Sequence, residues 1–175
     1  MTNRRLLAVA LMAVGAIALI IGAVRLFDDG SADSGSAQGS LEAAIARAGS
    51  ASAPFPELTA LRLAVGDRCV RLVVADSLDE RIAGLRSRID VGDYDGMLFV
   101  FDGATDVGFT MSTVPVPLDI GFYDATGKLV SSRHMKPCAK AEDACPVYRS
   151  DEPFRYSLET LKGKLPSGGI SACPS

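Results

Sequence analysis

Apolar residues fall into three patterns along this chain, and each predicts a different element. The first pattern is unbroken: Leu6 to Val24 (LLAVALMAVGAIALIIGAV) carries no charged or polar side chain over nineteen residues. At about 1.5 Å per residue, a helix of that length nearly covers a hydrocarbon core of about 30 Å. The second pattern is short apolar runs set between turn residues. Leu61–Val65 and Val70–Val74 flank Gly66-Asp67-Arg68, Met97–Phe101 follows Asp95-Gly96, Leu118–Tyr123 and Lys128–His134 flank Asp124–Gly127, and Tyr156–Leu161 comes last. These predict strands, the first two and the Leu118 and Lys128 pair as hairpins, with Met97–Phe101 buried on both faces. The third pattern is helical. Ser77 followed three residues later by Glu80 is a capping box, and Leu78, Ile82 and Leu85 fall at i, i+4 and i+7, so a short helix is predicted over 78–86. Gly84 within it costs about 1 kcal/mol relative to Ala, which means that the helix ends there or that its backbone lies close against a neighbour.

Many short strands with one short helix describe a mainly β, small β-barrel or sandwich-like single domain, preceded by an N-terminal transmembrane helix. Residues 1–5 form a cytoplasmic N-terminus and 6–24 the anchor, because Arg4 and Arg5 precede the apolar run while Asp28 and Asp29 follow it. A cleaved signal peptide has a shorter apolar region and a small-residue cleavage site, and the residues beyond Val24 read RLFDD. An uncleaved signal anchor is therefore favoured, with the rest of the chain outside the cytoplasm. Residues 25–57 read as a flexible extracytoplasmic linker: Asp28–Ser40 has no large apolar residue, Leu41–Ala48 is a marginal helix, and Pro54 and Pro56 interrupt the residues after it. The folded domain is placed at 58–175.

Cys69, Cys138, Cys145 and Cys173 form an even set on the exported side, as disulfides in an oxidising compartment require. Of the three connectivities, Cys138–Cys145 with Cys69–Cys173 is expected. His134 lies four residues before Cys138, but no tight cysteine pair of zinc-site spacing exists, and no C-x-x-C supports a redox role. The formal charge is −3, and without Arg4, Arg5 and Arg25 the exported part keeps 15 basic against 21 acidic residues. This argues against a nucleic-acid partner, which calls for a basic patch.

The landmarks ER-x-x-GL-x-x-R, DGMLFVF, F-x-M followed by PLDI-x-F, a turn strand and a late Y-x-LE-x-x-x-G together resemble the DUF192 family, a domain of unknown function. Matching positions are Glu80, Arg81, Gly84, Leu85 and Arg88; Gly96, Met97, Leu98 and Phe99; Phe109, Met111, Pro117, Leu118, Asp119 and Phe122; and Leu158, Glu159 and Gly163. The resemblance spans about residues 70 to 165. It implies a compact β-rich domain, often exported, and no reaction. Where the family commonly reads GLM, W-M-K-N-T and V-L-E, this chain has Arg86 for the methionine, Thr110 for the tryptophan, Ser112-Thr113 for Lys-Asn and Ser157 for the valine. The cysteines at 138 and 145 look like an elaboration suited to an exported member.

Several constellations invite a chemistry. Asp119, Ser132 and His134 are the residue types of a hydrolase triad, but pairing Tyr123 with Lys128 places Asp119 opposite Ser132, with His134 diagonal. The serine then stands between the other two, where a triad needs the histidine. Among Asp95, Asp102, Asp106, Asp119 and Glu159 no spacing singles out a glycosidase pair, and Glu159 has Arg81 and Arg88 as candidate ion-pair partners. Met97, Met111, Met135 and His134 raise a minor copper reading through Met111 and His134, against methionine as core filler. No P-loop, G-x-G-x-x-G, H-E-x-x-H or G-x-S-x-G occurs, and no cofactor is implied. The sequence thus predicts a membrane-anchored binding or accessory module of a bacterial cell envelope, with Arg81, Arg88, Met111, Asp119, His134 and Glu159 near a ligand or partner site. Its partners are the membrane through residues 6–24 and an envelope protein, polymer or small ligand. The alternative is an extracytoplasmic hydrolase or lyase using Asp119 with His134 or Glu159.

Overall fold

The computed structural model describes residues 39–174. The anticipated anchor at 6–24, the residues before it and the linker up to residue 38 lie outside the described residues. Among the described residues ten strands carry the fold: β1 (Gly49–Ser50), β2 (Thr59–Val65), β3 (Arg68–Ala75), β4 (Gly96–Thr105), β5 (Phe109–Thr110), β6 (Leu118–Tyr123), β7 (Leu129–Met135), β8 (Val147–Tyr148), β9 (Phe154–Leu161) and β10 (Ile170–Ala172). Helical residues 39–45 (α1) precede β1, and α2 (Leu78–Ala83) lies between β3 and β4. No helix among the described residues is long and apolar enough to cross a membrane.

Eight strands form one mixed sheet, in the order β1-β2-β3-β4-β9-β6-β7 with β10 also on β2, while β5 and β8 pair separately as a short ribbon. The hairpin of β2 and β3 closes across Gly66 and Asp67, with Val65 opposite Arg68. Gly66 takes φ +60°, and a Cβ there would meet the Ser167 carbonyl oxygen at 2.2 Å, so the turn tolerates only glycine. β3 and β4 run parallel. A tight turn cannot join parallel strands, so the connection crosses over and carries α2. β9 returns late in the chain and inserts antiparallel between β4 and β6.

Side chains alternate across this sheet and build two cores. On one face Val73, Met97, Phe99, Leu118, Ile120, Phe122 and Met135 pack with Phe55, Leu85, Met111 and Val114. On the other, Leu63, Leu72, Leu98, Tyr156 and Leu158 pack with Leu41 of α1 and Ile170 of β10. Two disulfides, Cys69–Cys173 and Cys138–Cys145, have the expected connectivity, and pairs of this kind persist in an oxidising, extracytoplasmic compartment.

The architecture is mainly β and single-domain, but a single mixed sheet with a packed layer on each face takes the place of the expected barrel or sandwich. The β3–β4 crossover and the insertion of β9 make one continuous sheet out of what reads locally as separate hairpins. Packed residues also reach back beyond the expected start at 58, since Leu41 and Phe55 are fully buried, one in each core, and β1 pairs with β2. The β6–β7 register differs from expectation as well. Tyr123 faces Leu129, and a bulge between Phe122 and Tyr123 shifts the remaining pairs, so that Asp119 faces His134 and Gly121 faces Ser132. The Asp124 carboxylate accepts hydrogen bonds from the Thr126 and Lys128 backbone N–H groups, which holds this turn in its longer form.

Candidate functional site

The capping box forms as its residues dictate: the Glu80 backbone N–H donates to Ser77 Oγ, and the Glu80 carboxylate accepts from the Ser77 and Asp76 N–H groups. The helix then stops at Gly84, whose φ is +46° and whose position lies against the Phe99 ring, 3.5 Å from where a Cβ would stand. Both consequences drawn from Gly84 hold at once. Ending there turns Leu85 into the core, whereas Leu78 and Ile82 stay 64% and 58% exposed, and α2 itself has no buried residue. The apolar stripe of α2 therefore does not seal the sheet beneath it.

Under the helix lies a cavity of about 220 Å³. Its walls are Phe99 and Phe101 of β4, Phe109 and Thr110 of β5, and Val114. The exposed Leu78, Ile82 and Val107 mark its mouth, and Arg81, Arg86 and Glu142 stand around it. Arg86 bonds the Ile82 and Ser112 carbonyl oxygens and forms a 2.8 Å ion pair with Glu142. Glu142 opens a 3-10 turn, Glu142–Ala144, inside the loop closed by the Cys138–Cys145 bridge. The disulfide loop thus supplies one side of the entrance. Arg81 bonds the Val100 carbonyl at 2.8 Å and the Asp76 carbonyl, and lies over the Phe101 ring.

Glu159 also lines this cavity. It sits on the central strand β9, flanked in register by Met97 and Ile120, and is only 5% exposed. Among the described residues none donates a hydrogen bond or forms an ion pair to its carboxyl group. Burial alone pushes its pKa up to about 8, since a charge without a partner is costly in an apolar surround. Two further polar atoms on this side of the molecule are buried without partners, Thr110 Oγ1 and Ser157 Oγ. Thr110 lines the cavity. Ser157 is two residues before Glu159 on the same face of β9 and is flanked by Phe99 and Phe122. Buried polar groups normally have partners; the Tyr123 and Tyr156 hydroxyls on the opposite face lack them as well, so what distinguishes this side is that the unpartnered Glu159 lines a cavity.

The other anticipated residues disperse. Arg88 pairs with Glu57 at 3.0 Å, bonds the Pro54 carbonyl and stacks on Phe55, so neither Arg88 nor Arg81 serves Glu159. Asp119 meets His134 Nδ1 at 2.8 Å and accepts the Gly163 N–H at 2.6 Å. Because Ile120 is the neighbour of Glu159 in the ladder, Asp119 projects from the opposite face of the sheet. Met111 is fully buried in the core with Met135, while His134 pairs with Asp119 on the other face, so Met111 and His134 do not converge on a copper ion. No cluster of three metal-ligating side chains occurs among the described residues. Sequence reading missed the orphan role of Thr110 and Ser157, although both had stood out as departures from the family pattern. Arg86, a third departure, is at the mouth of the same cavity.

Fold and cavity define a class: a disulfide-bonded, mainly β domain with a half-open pocket on the crossover side of its sheet. The profile of the DUF192 family, described as "Uncharacterized ACR", matches residues 61–172, and the chain belongs to that family. Its structure is similar to a protein of unknown function from Novosphingobium aromaticivorans, with 22% identity over 71% of this chain and 92% of the other and a TM-score of 0.59. A candidate transcription regulator from Sinorhizobium meliloti is similar at 25% identity over 63% of this chain and 88% of the other, with a TM-score of 0.53. No curated protein matches.

Proposed function

We propose that this chain is a binding module of the cell envelope, tethered through residues 6–24, whose extracytoplasmic domain takes a small ligand into the cavity beneath α2. One observation carries the reading: an apolar-walled cavity of about 220 Å³ with an unpartnered, buried Glu159 on its wall. Concave, mostly apolar pockets with a few convergent polar groups are the usual form of small-molecule sites. The two disulfides agree with an exported location. The Sinorhizobium relative's description suggests transcription, but the acidic balance of this chain and its disulfides favour the envelope. A hydrolase or lyase built on Asp119 has the His134 contact in its favour, yet its carboxylate oxygens are engaged by His134 and Gly163 and the sheet separates it from Glu159.

Methyl-observed NMR of the full chain in lipid nanodiscs, titrated with toluene at measured free concentration, tests the pocket. Shifts are expected at Leu78, Ile82, Leu85, Val107 and Val114, and not at Leu63, Val65 or Leu158 on the opposite face. Absent shifts, or shifts on the opposite face, defeat the reading. Val107→Trp, which places an indole at the mouth, is expected to abolish them.

A further inference from the structure

The chemistry of the cavity narrows the ligand, and this step rests on the pocket reading above. We propose that the site selects an uncharged, ring-sized ligand bearing an amide-type edge, a donor beside an acceptor, which pairs with the carboxyl group of Glu159. Size sets the first limit. An apolar cavity of 150 Å³ holds benzene, so about 220 Å³ holds one ring with a small polar substituent. The walls set the second. Phe99 and Phe109 stand edge to face at 5.3 Å, and Phe101 completes the aromatic lining, surfaces that favour a planar ring.

Charge sets the third limit. The charged groups facing the cavity are Arg81 and Arg86 from the α2 segment, Glu142 from the 3-10 turn and Glu159 from β9, whereas β4, β5 and the residues between them contribute Phe, Val, Gly and Thr. A cationic ligand has to pass Arg81 and Arg86 to reach Glu159. An anionic ligand finds Arg81 already bonded to backbone carbonyls and Arg86 already paired with Glu142, and on the wall it meets a carboxyl group. A neutral amide meets a protonated carboxyl that offers one O–H donor and one carbonyl acceptor, the form that burial favours below about pH 8. Thr110 Oγ1 is occluded from the cavity, which leaves the Glu159 carboxyl as the polar group on that wall.

Four probes of one ring size, benzamide, toluene, benzylammonium and benzoate, titrated into the full chain in nanodiscs at pH 6 and matched free concentration, decide the matter. Benzamide is expected to bind at least tenfold more tightly than each of the others. Its affinity should fall at least fivefold between pH 6 and pH 9.5, and by less than twofold in Glu159→Gln, which keeps a neutral donor and acceptor. Thr110→Val, close in shape and altering only an occluded hydroxyl, should leave both benzamide and toluene binding within twofold. If toluene binds and benzamide is no tighter, or if benzylammonium or benzoate is preferred, the ligand class is wrong and the pocket stands. A benzamide affinity that ignores pH in the wild type overturns the role of Glu159. If none of the four binds, the pocket reading fails with it.

Discussion

Asp119 and Glu159 are carboxylates on adjacent strands, one ladder position apart, and they have opposite fates. Asp119 pairs across the strands with Thr160, and Glu159 with Ile120, so the two side chains leave the sheet on opposite faces. Asp119 is met by His134 and by the Gly163 N–H. Glu159 is met by Met97, Ile120 and the cavity. A carboxylate whose oxygens are already bonded within the fold has finished its work as a structural tie between β6, β7 and the turn after β9. One that is buried and unbonded persists only at a cost to stability, and such costs concentrate where a protein binds or reacts.

The sharpest way to break this contrast is to measure the cost directly. The pKa of Glu159 is raised from 4.5 in the unfolded chain to about 8 in the fold, so between those values the native state holds a proton that the unfolded state has released. Stability is then full below about pH 4.5, declines as pH rises toward 8 and levels off above it. At about 1.4 kcal/mol per pKa unit, the decline amounts to roughly 5 kcal/mol at most. Urea unfolding of the full chain, followed by circular dichroism from pH 4 to pH 9, should show this slope. Glu159→Gln should remove it. An equal slope in the variant would assign it to other groups and show that Glu159 does not hold a raised pKa in the fold. The next effect is smaller and opposite in kind: Asp119→Ala should cost about 2 kcal/mol at pH 7, the scale of hydrogen bonds to a charged group, and leave benzamide binding within twofold. A variant that folds as well as the wild type and loses the ligand would reverse the assignments of the two carboxylates.

Only part of this contrast was legible in the sequence. Period-two alternation gives β6 almost to the residue and places Asp119 opposite in face to Leu118, Ile120 and Phe122, because that signal is local. The capping box at Ser77 and Glu80 and the stop at Gly84 are local as well. What alternation cannot supply is which strand lies beside which. β9 comes late in the chain and inserts between β4 and β6, and only that insertion puts Glu159 between Met97 and Ile120. The bulge at Phe122 is likewise invisible in the pattern, and it sets His134 rather than Ser132 against Asp119. Strands β1, β5, β8 and β10 have two or three residues each, too few for any period to show. The helix misled in a more useful way: Leu78, Ile82 and Leu85 do share the spacing of a buried stripe, yet the helix ends before the third and leaves the first two at a cavity mouth.

Ser157 extends the comparison to a neutral group on the same strand. Its hydroxyl is fully buried and has no partner, so Ser157→Ala removes an unmet desolvation and should raise stability by about 1 kcal/mol. The pH slope set by Glu159 should be unchanged. A destabilised Ser157→Ala protein would reveal a hydrogen bond that the hydroxyl makes in solution, and with it a more complete polar network around Glu159.

The smallest effect concerns the exposed face of α2. Ile82 is 58% exposed at the mouth, and the helix propensities of Ile and Ser are similar, so Ile82→Ser should change stability by less than about 0.5 kcal/mol, as surface substitutions usually do. Benzamide binding should weaken two- to fivefold, because the apolar rim at the entrance is reduced while Glu159 stays in place. The two readouts separate two roles for an apolar helix face. A stripe that seals a core loses stability when it is made polar. A stripe that borders a binding cavity loses affinity and keeps its stability. Should Ile82→Ser cost about 2 kcal/mol or more, α2 packs down on the sheet in solution, the volume beside Glu159 closes, and the buried carboxyl becomes a strained core residue with no access to a ligand.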